Sequence, residues 1–287
     1  MKELHDKGLG LAGISYDSTE ILAAFSQQHG ISFPLLSDPG SATIKAYGIL
    51  NTVAEEALGP NGKDPAVVAD TKVYATVAGV SDRLHGIPFP GTFVLDRQGR
   101  VTARFFEDFF RERNTVSGMM LKLGTGRPSV QGTQISTAHL EIKTYPSDAA
   151  VALGNRFALV LEVTPHPRMH VYAPGATGYR VIGLTVAPQP FVRVLPTRYP
   201  ASEIYFFKPL NERVPVYQKP FTLLQEVVPE VTQEAEAAFR GKDTLTLTGT
   251  LEYQACDDKL CFNPASVPLT WQLTLRPFVT ERPVRQQ

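Results

Sequence analysis

The sequence predicts two domains of different class: an α/β half, then an all-β sandwich. Three observations carry this expectation. A chain of 287 residues exceeds one ordinary domain. Up to about residue 123, short apolar runs alternate with stretches of helical period. Beyond a Gly/Ser/Thr-rich stretch, the period becomes two. The expected divisions are 1–123 for the first domain, 124–137 for a linker and 138–280 for the sandwich. Lys and Arg number 28 and Asp and Glu 28, so no charge excess points to nucleic acid or an anionic membrane. The longest apolar runs fall far short of the ~20 residues of a membrane helix. Met1 to Lys7 reads as a polar, helix-like start, not a signal peptide.

In the first half, Leu9 to Ser15 (LGLAGIS) reads as a central parallel strand, because it is nearly continuous in apolar residues. Asp17 and Glu20 suggest a capping box, with Asp17 as N-cap. Ile21, Leu22 and Phe25 follow at helical spacing, and Gly30 stops the helix. Phe33 to Leu36 suggests a second strand, and Ser41 to Tyr47 a short helix ended by Gly48. Asn51 to His85 reads as an insertion with local order at Lys72 to Ala78 and no catalytic motif; His85 is expected at the surface. Thr92 to Leu95 and Val101 to Phe105 form a hairpin across Asp96-Arg97-Gln98-Gly99. Thr115 to Leu123 reads as a helix closing this half.

In the second half, strands are expected at Leu140 to Tyr145, Phe157 to Val163, Val181 to Val186, Phe191 to Leu195 and Val214 to Leu224. Glu230 to Arg240 reads as a short helix or ordered loop. The last two strands are the clearest. Leu245, Leu247, Leu251 and Tyr253 alternate with threonines and Glu252; Val267, Leu269, Trp271, Leu273 and Leu275 alternate with Thr270, Gln272 and Thr274.

Between these strands lie the only cysteines, Cys256 and Cys261. Asp257-Asp258-Lys259 and Asn263-Pro264 supply turn signals, so both thiols sit where the chain reverses. Neighbouring strands satisfy the ~4.4–6.8 Å between Cα atoms that a disulfide needs. We read a surface disulfide that can be made and broken. As a staple it would be weak, since so short a loop removes little unfolded-state entropy. Spacing alone leaves open an inert bond, two free thiols, or a metal site needing further ligands. Asp257 and Asp258 disfavour a thiolate and Lys259 favours it, so no strong activation is expected.

YQACDDKLCFNPASVPLTW resembles the cysteine hairpin of the N-terminal periplasmic domain of DsbD, the thiol:disulfide interchange protein. The resemblance implies an immunoglobulin-like sandwich in which Cys256 and Cys261 pass electrons to thioredoxin-like or other thiol redox proteins. It also implies an extracytoplasmic site. Met169-His170-Val171-Tyr172 matches the family's aromatic positions beside the pair, making His170 and Tyr172 candidates for partner contact as well as for packing. Ile204 to Tyr217, with Lys208-Pro209-Leu210-Asn211-Glu212, falls where the family has a cap loop over the disulfide; Leu210 is the candidate contact there.

GISYDS, FPLLSDPGSATIKAYGI and FPGTFVLDRQGRV resemble the thioredoxin-like AhpC/TSA (peroxiredoxin and redoxin) family over residues 1 to about 123. That resemblance implies that Pro90 is cis and shapes a substrate groove. Redoxins place the reactive cysteine on a helix before the GISYDS strand, where the helix N-terminus lowers its pKa. Residues 1–255 contain no cysteine. The resemblance thus implies an incomplete thioredoxin-like domain, with its first strand, its nucleophile and any export signal expected upstream of Met1. No cofactor is implied. Two other readings stand beside electron shuttling. One is a peroxiredoxin-type peroxidase whose catalytic cysteine lies outside this chain. The other is a soft-metal module using Cys256, Cys261, His170 and Met169.

Overall fold

A computed structural model describes residues 8–52, 86–106, 112–125, 130–207 and 211–277, together with 4, 5, 54, 65 and 68. The chain divides into two units, Met1–Phe110 and Arg111–Gln287.

The first unit is α/β. Strand β1 (Gly13–Ser15) pairs in parallel with β2 (Leu35–Ser37), with helix α1 (Thr19–His29) between them in sequence. The stretch Leu9–Ser15 thus yields only a three-residue strand, not a buried central one; Ile14 is 46% exposed. Helix α1 is capped by Ser18, whose Oγ accepts the Ile21 N–H, and not by Asp17. The Asp17 carboxylate instead accepts from Ser15 Oγ. Gly30 ends the helix in the left-handed region that glycine tolerates. Helix α2 (Ala42–Ala46) starts on Asp38, whose carboxylate accepts the N–H groups of Thr43 and Ile44. Strands β3 (Gly91–Leu95) and β4 (Val101–Phe106) form the expected hairpin. Its turn is tied by Asp96 Oδ1, which accepts from the Gln98 and Arg100 amides.

Pro90 precedes β3. Among the described residues no peptide bond is cis, which corrects the cis geometry that the resemblance implied. The chain here is already drawn out: Phe89 N–H bonds Ile49 O and Pro88 bridges Leu50. The trans bond carries that extended path into the strand. The expected order at Lys72 to Ala78, and His85, lie outside the described residues.

The second unit is a β-sandwich. Its first elements are β5 (Arg113–Asn114) and helix α3 (Val116–Lys122). Thr115 caps α3, accepting from Gly118 N–H. β5 pairs with β9 (Asn155–Pro165). The helix read from sequence as closing the first half therefore sits with the second unit. A Cβ at Gly118 would stand 3.8 Å from Phe157 Cα, which shows how closely helix and strand approach.

Then follow β6 (Thr133–Ser136), β7 (Leu140–Pro146) and β8 (Ala150–Val151). β6 lies inside the stretch expected as linker; it pairs with β7 through Ile135 and Ile142. After β9 come β10 (His170–Tyr172), β11 (Gly183–Val186), β12 (Val192–Val194), β13 (Glu203–Phe207), β14 (Glu212–Tyr217) and β15 (Phe221–Pro229). The single strand expected from Val214 to Leu224 is two, β14 and β15. They are separated at Gln218-Lys219-Pro220, where proline offers no N–H to a ladder. Helix α4 (Gln233–Phe239), β16 (Thr244–Tyr253), β17 (Ala255–Cys256) and β18 (Ala265–Leu275) complete the unit.

Sheet β12-β15-β9-β7-β6, with β5 beside β9, packs on sheet β11-β16-β18-β8. β16 and β18 pair antiparallel from Thr244↔Thr274 to Tyr253↔Ala265. Their alternation sends Leu245, Leu247, Leu251, Leu269, Trp271 and Leu273 into the core against Phe157, Leu159 and Leu161. Each such side chain contributes roughly 1.5–3 kcal/mol on burial. Trp271 Nε1–H donates across the core to Thr144 Oγ1 at 2.7 Å, and Thr144 Oγ1 donates to Val160 O at 3.0 Å. A smaller sheet, β13-β14-β10-β17, carries the cysteine hairpin.

Candidate functional site

The site is built on the smaller sheet. β10 lies between β14 and β17, with Tyr172 opposite Val216 and His170 opposite Cys256. Residues that face each other across an antiparallel pair share a face of the sheet, as do residues two apart. His170, Tyr172, Cys256, Val214 and Val216 therefore lie on one face; so do Tyr205 and Phe207, carried there by β13. Val171, Ala255 and Tyr217 point the other way, into the main core. Cys256 instead joins a separate buried cluster with Tyr172, Val214 and Val216, flanked by Ala176, Tyr179 and Tyr205.

Cys256 and Cys261 are joined by a disulfide, with Cα atoms 4.1 Å apart. The two sulfurs differ in access. Cys256 is 1% exposed, whereas Cys261 lies in the exposed turn beside Leu260, which is 58% exposed. The expectation of a surface disulfide thus holds for one sulfur only. Burial of the other follows from the β10 ladder, which brings tyrosines over it from a distant part of the chain.

The turn between the cysteines is ordered by hydrogen bonds within itself, chiefly to the Asp257 side chain. Asp257 Oδ1 accepts the Lys259 and Leu260 N–H groups, each at 2.7 Å, while Asp257 N–H donates to Leu260 O. These bonds hold the Asp257 carboxyl below its ordinary range. Phe262 N–H donates to Ala255 O, closing the reversal. Asp257 therefore serves the turn more directly than it serves the sulfurs.

Aromatic rings wall the disulfide. The Tyr172 hydroxyl stands 3.0 Å from Cys256 Sγ and 3.4 Å from Cys261 Sγ. Its ring stacks on Tyr179 at 4.0 Å, and Tyr179 Oη–H donates to Glu212 Oε2 at 2.6 Å. The His170 ring lies 4.5 Å from that of Tyr205. Burial pushes the imidazole toward neutrality, and the Asp257 charge pulls weakly the other way. Between these rings and the Asp257–Cys261 turn lies a cleft that Phe207 and Val214 also line.

His170 and Tyr172 thus stand at the cysteines, as the DsbD resemblance implied. The region expected as a cap loop is the β13–β14 hairpin, which contributes Tyr205 and Phe207; Leu210 lies outside the described residues. Pro90 belongs to the first unit. Met169 does not line the cleft. Among the described residues, no three of His, Cys, Asp and Glu are grouped to hold a metal ion. Tyr179 was missed from sequence; Tyr205, Phe207 and Glu212 lie inside the stretch read as a cap loop, but only Leu210 was singled out there as a contact. Tyr205 and Phe207 carried only a faint signal, because Phe206 between them leaves an unbroken apolar run.

Comparison with known proteins adds to this geometry. Residues 1–104 match the AhpC/TSA family. Two Mycobacterium tuberculosis proteins, from strains CDC 1551 / Oshkosh and H37Rv, carry peroxiredoxin in their names and are 49% identical over 41 residues. That stretch is 14% of this chain, and it spans about a quarter (26%) of the length of those relatives. Solved structures similar to the chain include the N-terminal periplasmic domain of ScsB from Proteus mirabilis. It is 14% identical with a TM-score of 0.35, over 47% of this chain and 49% of that one. The DsbD N-terminal domain of Neisseria meningitidis, in its reduced form, is 13% identical with a TM-score of 0.27, over 41% and 81%. The GAE domain of GGA2p from Saccharomyces cerevisiae is 8% identical with a TM-score of 0.27, over 49% and 94%.

Proposed function

We propose that the second unit is a thiol–disulfide exchange module that passes electrons through Cys256 and Cys261. One observation carries this reading: a disulfide with one sulfur exposed in a turn and the other buried under tyrosines. An inert staple needs no such asymmetry, and a bond closing so short a loop contributes little as a staple. The likeness of the hairpin sequence to DsbD supports the same chemistry.

The asymmetry sets the order of events. A partner thiolate reaches Cys261 Sγ, not Cys256 Sγ. A bond forms between the partner sulfur and Cys261, the Cys256–Cys261 bond breaks, and its electron pair leaves on Cys256. The partner's second thiol, as thiolate, then attacks its own sulfur in the mixed disulfide and releases Cys261. Two electrons have passed, the partner is oxidised to a disulfide, and protons reach the two new thiolates from solvent. The reverse sequence delivers electrons to an oxidised partner. The partner class is a thioredoxin-like dithiol protein, and the compartment an extracytoplasmic one where disulfides persist.

Glutathione buffers of graded ratio, followed by counting of free thiols, test the reading. The expected poise lies between roughly −180 and −270 mV, where exchange proteins fall; structural bonds usually lie below about −300 mV. Mixed with an oxidised thioredoxin-like partner, Cys256→Ala should trap a mixed disulfide, its Cys261 thiolate displacing one partner sulfur as a thiolate, and Cys261→Ala should trap far less. A pair that resists reduction across the range, or no trapping in either variant, overturns the proposal.

A further inference from the structure

The hydroxyl of Tyr172 is aimed at the sulfur that leaves. It stands 3.0 Å from Cys256 Sγ, nearer than the 3.4 Å to Cys261 Sγ. Disulfide sulfurs carry no hydrogen, so Tyr172 is the donor. Its position is fixed. Strand β10 is paired on both sides, the side chain is 3% exposed, and the ring is stacked on Tyr179. Burial, followed by the Tyr179 and Glu212 neighbours, pushes its ionisation well above that of a free phenol. It therefore keeps its proton throughout the range in which thiols ionise.

We infer that Tyr172 is a catalytic residue of the exchange, donating a hydrogen bond that takes up the charge on Cys256 Sγ as the disulfide opens. This rests on the exchange reading above. A neutral disulfide sulfur is a poor acceptor and a thiolate a strong one. The bond therefore strengthens as charge develops, which is the condition for lowering a barrier and not merely the ground state. The need is local. Cys256 sits among Val214, Val216 and aromatic rings, where burial by itself disfavours a thiolate. A fixed O–H at so buried a sulfur does what solvent does for an exposed thiolate. Two consequences follow: Cys256 leaves more readily, and the reduced form is favoured, which makes the pair more oxidising.

Tyr172→Phe keeps the ring and its stack on Tyr179 while removing the donor. The first measurement is the rate of reduction by dithiothreitol across pH, in wild type and Y172F. The second is the equilibrium with glutathione. We expect reduction about tenfold slower, and an equilibrium constant shifted about tenfold toward the disulfide, equivalent to ~30 mV for this couple. A third readout follows Cys256 ionisation by thiolate absorbance in Cys261→Ala, with and without Y172F; it should move up by about one pH unit, the same tenfold factor. Unchanged rate, poise and ionisation in a variant that unfolds like wild type overturn the inference. Should Y172F not fold, Cys261→Ala alone decides. The tyrosine ultraviolet band is then followed as Cys256 ionises: a shift that tracks the thiolate supports a hydroxyl donor, and a band that does not move overturns one. A wild-type pair that glutathione cannot reduce defeats the exchange reading itself, a separate outcome.

Discussion

His170 lies directly opposite Cys256 in the β10–β17 ladder, with its ring packed 4.5 Å from Tyr205. A titratable ring thus faces the buried cysteine from the neighbouring strand. Burial is the larger influence on it, and it holds the imidazole ionisation below that of a free histidine.

That shift makes stability depend on pH. Above the unfolded value of about 6.5, neither state binds the proton and nothing is lost. As pH falls from there toward the lower folded value, the unfolded chain takes the proton first, and stability drops. We expect the denaturation midpoint of the oxidised protein to fall between pH 8 and pH 5.5 by more in wild type than in His170→Gln. Equal falls would mean that the ring is solvated and that other groups set the profile.

The Asp257 turn gives a second pH dependence, with its own window. Its carboxyl is held below the ordinary range by the Leu260 and Lys259 amides. Its contribution is full above the unfolded value of about 3.9 and is lost as pH falls through the lower folded value. Hydrogen exchange should show the Lys259 and Leu260 amides protected near neutrality in wild type and less so in Asp257→Ala. In the variant, the reduced cysteines should re-form their bond more slowly, because the turn no longer holds them together. Equal protection in both proteins would show that the carboxylate does not order the turn.

Glu226 supplies a third test, away from the sulfurs. Its carboxylate is nearly buried and accepts from Lys122 Nζ at 2.6 Å and from Arg156 Nε and Nη2 at 2.8 and 2.9 Å. Burial raises its ionisation, but the hydrogen bonds from Arg156 and Lys122, helped by their charges, outweigh burial and keep it ionised. Lys122 belongs to α3 and Arg156 to β9, so the carboxylate ties helix to sheet. Glu226→Ala removes the carboxylate that two cations share at a largely buried site, although Lys122 keeps its bond to Asn114 Oδ1, and should cost up to about 3–5 kcal/mol in urea denaturation. A loss under about 1 kcal/mol, typical of exposed pairs, would show that water replaces the carboxylate.

Much of the sandwich was legible in the chain. β16 and β18 stand out because apolar and polar residues alternate along them, broken only at Gly249 and Pro268, and a strand with one wet face needs that alternation. The hairpin β3–β4 was marked by Asp96 and Gly99. β10 and β13 left fainter marks. β10 is three residues long and buried throughout, so it has no alternation to read. β13 is an edge strand whose Ile204 and Phe206 are exposed between Tyr205 and Phe207, so an apolar run hides its two faces. The α1 cap was displaced by one residue because Asp17 and Ser18 are both good caps, and local geometry chose the serine.

The sequence by itself determined that two thiols would meet at a reversal between strands. Strand period and turn residues are local properties, and the cysteines are only five positions apart. Tertiary structure alone decided which sulfur is hidden. Tyr172 stands 84 positions before Cys256, and no periodicity or turn signal announces their contact; only the family resemblance of Met169 to Tyr172 pointed to it. The ladder through β10 brings them together, burying Cys256 under a hydroxyl donor while the self-bonded Asp257 turn leaves Cys261 in solvent. Burial is a property of what packs above an atom, and here the packing comes from strands that the cysteine hairpin does not contain.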